Sequence, residues 1–367
     1  MLFKNKVILI TGGTGSLGHA LVRRLMSNGH DVPKKIIIFS RDEAKQHAMK
    51  LEWTNMTVAT DNIFYHNFEE ILSFRIGDVK DYQSLLDPVK EADIIIHAAA
   101  LKQVPVCEYF PEESLKTNVL GDINLIRAIK ETDNHVELVV GISTDKACKP
   151  INTYGMCKAI QERLLINANL SCKKTRFICV RYGNVMASRG SVIPLFQEQI
   201  NNGGPVTLTT KDMTRFFLNL DTAVDIIFDA ILMARAGEIY IPILPSAKIV
   251  DLAGIMIGDQ NNIKITYTGI RPGEKTHEIL ISDEEINYTY QNGKYYVIQS
   301  NLPELLNIKV EKPVLKTEYS SGNSVISREE LKKLLLDNNF ITQEQSKEQS
   351  KEQGKLPKSV SRPKVKS

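Results

Sequence analysis

The chain has 367 residues, 43% of them hydrophobic and 24% charged, enough for a large α/β unit with an appended lobe. Its 46 basic and 43 acidic residues leave a net charge of +3, too small and too evenly spread before the tail to suggest nucleic acid as a partner. Five cysteines at no metal-ligand spacing point to reduced thiols, and no apolar run approaches the roughly 18–20 residues of a membrane helix. Residues 5–11, beside Lys4 and Lys6, are too short for a signal sequence, so the expected setting is the cytoplasm, away from any membrane.

In chain order, the β-branched runs Val7–Ile10, Lys35–Phe39, Leu72–Ile76, Ile94–Ile96, Glu137–Gly141 and Phe177–Val180 read as buried parallel strands. Between them, helical patterns cover Leu17–Met26, Ser114–Ile129 and Tyr154–Leu165. This alternation predicts an α/β fold, a Rossmann-type doubly wound parallel sheet over residues 1–185. Residues 54–70 exceed a usual connection and predict a surface excursion. After residue 185 the pattern becomes irregular, with Gly203-Gly204-Pro205 and Arg271-Pro272-Gly273. It predicts a smaller C-terminal lobe over 186–340, some segments of which return to the first domain. Residues 341–367 are polar and repetitive and predict a disordered basic tail.

The first strand runs into Thr11-Gly12-Gly13-Thr14-Gly15-Ser16-Leu17-Gly18 and then a helix. Gly12, Gly15 and Gly18 form the G-x-x-G-x-x-G variant of the dinucleotide fingerprint. They serve a tight turn, close approach of the pyrophosphate and close packing of helix on strand. The helix start, Thr14 to Leu17, offers N–H groups to phosphates. The second strand ends in Ser40-Arg41-Asp42, with Lys45 one turn on. Ser40, Arg41 and Lys45 suit the 2′-phosphate of NADP, whereas Asp42 leaves NAD as the alternative. Asp78-Val79 is expected at the adenine, and Ala98, Ala99 and Ala100 line the close passage of the cofactor. His97 has no partner at ligand spacing, so no metal is expected.

Tyr154 and Lys158 lie one helical turn apart on one face. The lysine is expected to lower the phenol pKa and reach the nicotinamide ribose, making Tyr154 a base for a substrate hydroxyl. Upstream, the fifth strand ends in Ser143-Thr144-Asp145-Lys146, so Thr144, Asp145 and Lys146 meet the tyrosine.

Together, residues 7–18, HAAALKQVP (97–105), Thr117-Asn118, STDKACKPINTYGMCK (143–158) and RYGNVMASRGSVIPLF (181–196) resemble a known enzyme family. It is that of the C5-inverting UDP-N-acetylglucosamine 4,6-dehydratases, within the extended short-chain dehydrogenase/reductases. Retaining glucose dehydratases usually carry Asp-Glu after the threonine, where this chain has Asp145-Lys146. The resemblance covers about residues 1–335. It implies that Tyr154 takes the O4 proton, Lys146 removes the C5 proton when neutral, and protonated Asp145 assists loss of water from C6. It also implies cofactor contacts from Lys102 and Asn118. Sugar-nucleotide contacts are implied for Lys102, Gln103, Val104, Asn184, Ser188, Arg189, Val192, Pro194, Leu195, Phe196, Thr214, Arg215, Arg271 and Glu274, with Arg215 and Arg271 suited to a diphosphate. His277 stays outside the expected site.

Two rivals remain at this point: a UDP-sugar 4-epimerase, which needs no C5 base, and a non-catalytic nucleotide-sensing module. The helices at 114–129 and 154–166 keep apolar residues on more than one side, which predicts a homo-oligomer built through a four-helix bundle.

Overall fold

The structure is a computed structural model that describes residues 2–27, 31–59, 68–132, 136–186, 191–260, 262–306 and 312–341. Six short strands rich in β-branched residues form its centre. These are β1 (Val7–Thr11), β2 (Lys35–Ser40), β3 (Leu72–Ile76), β4 (Ile94–His97), β5 (Leu138–Ile142) and β6 (Arg176–Val180). Each lies within one residue of its expected bounds. Ile8, Leu9, Ile36–Ile38, Ile95 and Val139 are wholly buried, as strands covered on both faces require.

The chain then forms β7 (Asn184–Val185), β8 (Val206–Leu208) and β9 (Thr214–Leu218) in the lobe. It returns to the large sheet with β10 (Ile239–Pro242), which pairs parallel to β6. β11 (Ser246–Lys248), β12 (Ile265–Tyr267) and β13 (Ile279–Ile281) belong to the lobe again. β14 (Thr289–Asn292) and β15 (Tyr295–Ile298) extend the large sheet antiparallel, and β16 (Tyr319–Ser320) pairs with β13. Among the described residues the large sheet has nine strands in the order β14-β15-β10-β6-β5-β4-β1-β2-β3. The order reverses between β1 and β4, so the crevice above their carboxyl ends is the topological switch point, where ligands bind in such sheets.

Three expectations differ from the structure. The helix expected over Ser114–Ile129 is split into Pro111–Leu115, a wide π turn at Lys116–Leu120 and Gly121–Glu131. The π turn places Thr117 and Asn118 on the buried side, and Gly121 follows it against Val79, where a Cβ would come within 2.8 Å of that side chain. The excursion expected at 54–70 is partly helical, because Glu43–Ala59 is one helix and Phe68–Ile71 is a helical turn. Residues 60–67 lie outside the described residues. Finally, Ile341, assigned to the tail, is only 8% exposed and packs with Met186, Leu252, Leu331 and Leu335 in the lobe's own core. The remainder of the expected tail, 342–367, lies outside the described residues. No helix among the described residues is long and apolar enough to cross a membrane.

Sheet and lobe are joined by Arg181, just beyond β6 and 1% exposed. Its guanidinium donates to Glu162 at 2.9 and 2.7 Å, to Glu285 at 2.9 and 2.8 Å, and to the Leu280 carbonyl at 2.8 Å. Burial pushes the Glu285 carboxyl up, but the charge and hydrogen bonds of Arg181 outweigh it, and the pKa falls to about 2. A depressed carboxylate stabilises the fold above its unfolded pKa of about 4.3 and loses that contribution as pH falls toward the folded value. Arg181→Met would strand two buried carboxylates and should cost about 3–5 kcal/mol in urea unfolding at neutral pH. It should also remove Glu285's share of the decline in stability between about pH 4.3 and about pH 2. A variant as stable as the parent would show that the clamp does not join the two parts.

Candidate active site

At one end of the crevice the fingerprint turn is shaped by two glycines. Gly12 has φ +68°, and a Cβ there would stand 2.9 Å from the Ala99 backbone. A Cβ on Gly18 would come within 2.0 Å of the Gly13 carbonyl oxygen, so its close packing is against the turn itself rather than a strand. Gly15 caps the helix Ser16–Met26 without a side-chain hydrogen bond, and Ser16 and Leu17 form its first turn. Gly12, Thr14, Ser40, Arg41, Asp42, Lys45, Asp78, Val79, Ala99 and Ala100 all line one cavity of about 200 Å³. Ala98 lies beside them, bonded through its N–H to the Thr11 carbonyl. Phe39, Gly77, Leu101 and Thr117 line the same cavity and were not expected there. Gly77 carried a readable signal, since it follows a strand directly, and a Cβ on it would strike the Phe39 ring at 2.4 Å.

Charge at the cavity mouth is arranged in pairs. Asp42 accepts from the Lys45 side chain at 2.6 Å and from its N–H at 3.0 Å, contacts that hold its carboxyl below the usual range. Arg41 stands 3.9 Å from Asp78 with its side chain 57% exposed, leaving its guanidinium able to turn toward an anion. Asn118 does not face the cavity. Its amide is spent on the Leu101 N–H at 2.7 Å and the Leu101 carbonyl at 2.8 Å, so it holds the loop after β4 in place.

Deeper in, the end of β5 meets the start of the helix Thr153–Ser171. Asn152 caps that helix, accepting from the Gly155 N–H at 2.7 Å. A Cβ on Gly155 would lie 2.2 Å from the Lys146 carbonyl oxygen, so glycine is what lets Tyr154 approach the Thr144–Lys146 segment. Asp145 is fully buried and accepts from Thr144 Oγ1 at 2.9 Å and from Lys146 Nζ at 3.0 Å. Burial raises its pKa and favours the protonated form, against the opposing pull of the lysine.

Lys146 makes the further contacts that decide its state. Its Nζ lies 3.3 Å from Glu278 Oε1 and 3.4 Å from Asn184 Oδ1. Burial works against the ammonium, but the two carboxylates raise its pKa well above the ordinary lysine range. A resting, neutral Lys146 is therefore not what this arrangement holds. Tyr154 is pushed up to about 12 by burial, and the charge of Lys146 and a hydrogen bond with Thr144 oppose that rise. The charge of Lys146 thus acts on the phenol to lower its pKa, an influence the one-turn spacing of Tyr154 and Lys158 did not reveal.

Lys158 belongs to a second buried group. Its Nζ donates to the Ile142 carbonyl and to Gln161 Oε1, both at 2.6 Å. Gln161 donates to Asp122 at 2.7 Å, His97 Nε2 lies 2.8 Å from the same carboxylate oxygen, and His97 Nδ1 meets Thr11 Oγ1 at 2.8 Å. His97 is thereby a linker between β1 and this chain of contacts. Burial depresses the Lys158 ammonium, and the Asp122 charge opposes the effect.

The lobe residues divide sharply. Arg271, Lys102, Gln103, Pro194 and Leu195 are exposed, and Val104, Val192 and Glu274 are half-buried. Glu274 accepts from Thr209 Oγ1 at 3.3 Å. Phe196 is instead 1% exposed in the lobe core, and Thr214 is tied to His277 and Ser321. Arg215 donates to the carbonyls of Thr214, Thr276 and Lys275 at 2.7, 3.1 and 3.0 Å, so its guanidinium braces this loop and is not free for a diphosphate. Ser188 and Arg189 lie outside the described residues. Glu278 was missed altogether. Its readable signal was a carboxylate entering the apolar run Ile279–Ile281, a buried position that demands a cationic partner.

Residues 8–300 match the polysaccharide biosynthesis protein family. The chain belongs to that family. Proteins named as sugar-nucleotide epimerases and dehydratases are among its relatives and fold neighbours. A Rickettsia bellii protein named UDP-glucose 4-epimerase is 41% identical over 354 residues, covering 94% of this chain and 99% of its own. The crystal structure of Pen from Bacillus thuringiensis superposes with a TM-score of 0.82 at 34% identity, over 93% of this chain and 100% of that one. DesIV, a dTDP-glucose 4,6-dehydratase from Streptomyces venezuelae solved with NAD and TYD, shares the fold at 23% identity and TM-score 0.61, over 74% and 86% of the two chains.

Proposed function

We propose that the chain is an NADP-dependent UDP-N-acetylglucosamine 4,6-dehydratase that inverts C5, working in the cytoplasm on a surface-sugar pathway. The observation that carries this reading is the acid–base pair of buried Asp145 and half-buried Lys146 beside Tyr154. A 4-epimerase needs a base at O4 and hydride transfer at C4 alone. A protonated carboxyl and an ammonium at the same point have chemical work only if further positions on the sugar react.

The glycine-shaped turn, the cavity beneath Arg41 and the small residues after β4 fit a dinucleotide, and Arg41 with Ser40 fits the 2′-phosphate of NADP. Held there, the dinucleotide would supply the hydride acceptor for C4 and the hydride donor for C6. Tyr154, as the phenolate that the Lys146 charge stabilises, takes the O4 proton and becomes the phenol. The ketone formed at C4 acidifies the C5 proton. Asp145 gives its proton to the departing C6 hydroxyl, and a proton delivered to the opposite face of C5 completes inversion. Lys102, Gln103 and Arg271, all exposed, are the side chains we assign to the diphosphate and sugar; residues 186–340 contribute most of that half.

A homodimer is part of the same proposal. Leu115, Leu120, Ile123, Met156 and Ile160 are all more than 40% exposed, on the neighbouring helices Gly121–Glu131 and Thr153–Ser171 and the turns leading into the first of these. A second copy meeting them would form a two-fold four-helix bundle. Ile160→Glu should shift the sedimenting species to monomer, whereas an unchanged dimer would place the interface elsewhere.

The name carried by the Rickettsia relative favours the second reading, a UDP-sugar 4-epimerase. Product mass separates the two. With NADP and UDP-N-acetylglucosamine we expect a product lighter by one water, and Arg41→Ala should weaken NADP more than NAD. A product of unchanged mass would establish the epimerase and end the dehydratase reading.

A further inference from the structure

We propose that Glu278 is the proton partner of Lys146, taking a proton from its ammonium so that the freed nitrogen removes the C5 proton of the sugar. The inference rests on the dehydratase reading and concerns a residue outside the dehydratase motifs of the sequence.

Glu278 is 2% exposed and fixed at the start of β13. Its N–H donates to Ser321 Oγ at 2.9 Å, and its carbonyl accepts from the Ser321 N–H at 2.8 Å. The carboxylate reaches back across the lobe to Lys146 at 3.3 Å, and its second oxygen, Oε2, is buried with no hydrogen-bond partner. Arg215 stands 3.7 Å away, and three of its N–H groups donate to carbonyls. The Glu278 carboxylate can therefore become neutral without stripping Arg215 of its partners.

A lysine acts as a base only after losing a proton, and Lys146 begins as an ammonium. The charged and titratable groups facing it are Asp145 from its own segment, Tyr154 from the helix, Arg215 from β9, and Lys275 and Glu278 from the segment leading into β13. Arg215 and Lys275 are cations, and the phenol is committed to O4. Asp145 is pushed by burial toward the form that already holds a proton, the form needed to expel water from C6. Glu278 is left. Burial pushes its carboxyl up, but Lys146, Arg215 and Lys275 together hold it ionised.

The step balances. An N–H bond of Lys146 breaks as an O–H bond forms on Glu278 Oε1, turning the ion pair into two neutral groups, which gives up their attraction and relieves the desolvation of both. The C5–H bond then breaks, its proton passes to the lysine nitrogen, and the electron pair enters the enolate conjugated with the C4 ketone. No oxidant or further reactant is required.

The test separates C4 oxidation, read as transient absorbance of the reduced nicotinamide, from C5 exchange, read by mass spectrometry of the sugar in deuterated water. Glu278→Gln keeps the side chain's size but cannot take the proton. It should leave C4 oxidation within a few-fold of the parent and slow C5 exchange by about 10²-fold or more. Exchange by the variant should climb as pH rises and solvent takes the lysine proton. Glu278→Asp, which restores a carboxylate, should recover part of the exchange at neutral pH. Parent-like exchange by Glu278→Gln, or equal loss of oxidation and exchange in both variants, would overturn the role of Glu278. A parent enzyme that converts the substrate at C4 without exchanging C5 would instead overturn the dehydratase reading, and this inference with it.

Discussion

A half-buried lysine ammonium held between the carboxyl groups of Asp145 and Glu278 is the constraint around which the site is built. Removing such charges from solvent costs several kcal/mol per ion, and only close pairing offsets it. Asp145 comes from just beyond β5 and Glu278 from just before β13, so Lys146 joins the sheet to the lobe as well as standing at the proposed reaction centre. The neighbouring backbone makes room for this. Gly155 allows the helix start to lie against Lys146, and a Cβ on Gly183 would stand 2.6 Å from Phe216 and 3.4 Å from Asp145. Asn152 then ties the helix cap to the Gly273 carbonyl at 2.7 Å, bringing the Arg271–Glu278 segment over the crevice.

Two buried polar groups thus serve different ends of one crevice. The Thr11–His97–Asp122–Gln161–Lys158 chain of contacts lies under the switch point and holds the Lys158 ammonium below the crevice. The Asp145–Lys146–Glu278 cluster lies under the lobe, where a sugar would sit. Arg181 with Glu162 and Glu285 forms a third ionic group farther from the cleft, and Ser143 connects it to the chain segment that carries Asp145. Rigid support of this kind is what a site needs when small displacements of an acid or base weaken catalysis.

Much of this architecture was legible in the residues. Runs such as Ile36-Ile37-Ile38 and Ile94-Ile95-Ile96 leave little choice but buried strands, and Gly12 and Gly18 stand where a side chain would strike backbone. Local spacing also placed Tyr154 beside the Thr144–Lys146 segment. What spacing could not show is which partner a side chain takes across the fold. Lys158 turns away to Gln161 and Lys146 supplies the charge near Tyr154, an exchange of roles fixed by tertiary packing. Arg215 sits in a wholly buried strand, where its donors are taken by the nearest carbonyls. Glu278 lies far along the chain from Lys146 and reaches it only because β13 returns beside the Asp145–Ala147 turn. The π turn at Lys116–Leu120 was hidden for a similar reason, since the helical periodicity on either side of it is intact.

In the proposed enzyme one cluster, Asp145–Lys146–Glu278, faces C5 and C6 of a UDP-linked sugar whose O4 meets Tyr154. A crystal structure of the Tyr154→Phe variant with NADP and UDP-N-acetylglucosamine tests it most directly, because loss of the phenol hydroxyl stalls turnover with substrate in place. The account predicts Lys146 Nζ against C5, Asp145 within hydrogen-bond distance of the C6 hydroxyl, and O4 directed at the ring of residue 154. A sugar bound with C5 and C6 turned away from Lys146 and Asp145, and only C4 near the nicotinamide, would contradict it.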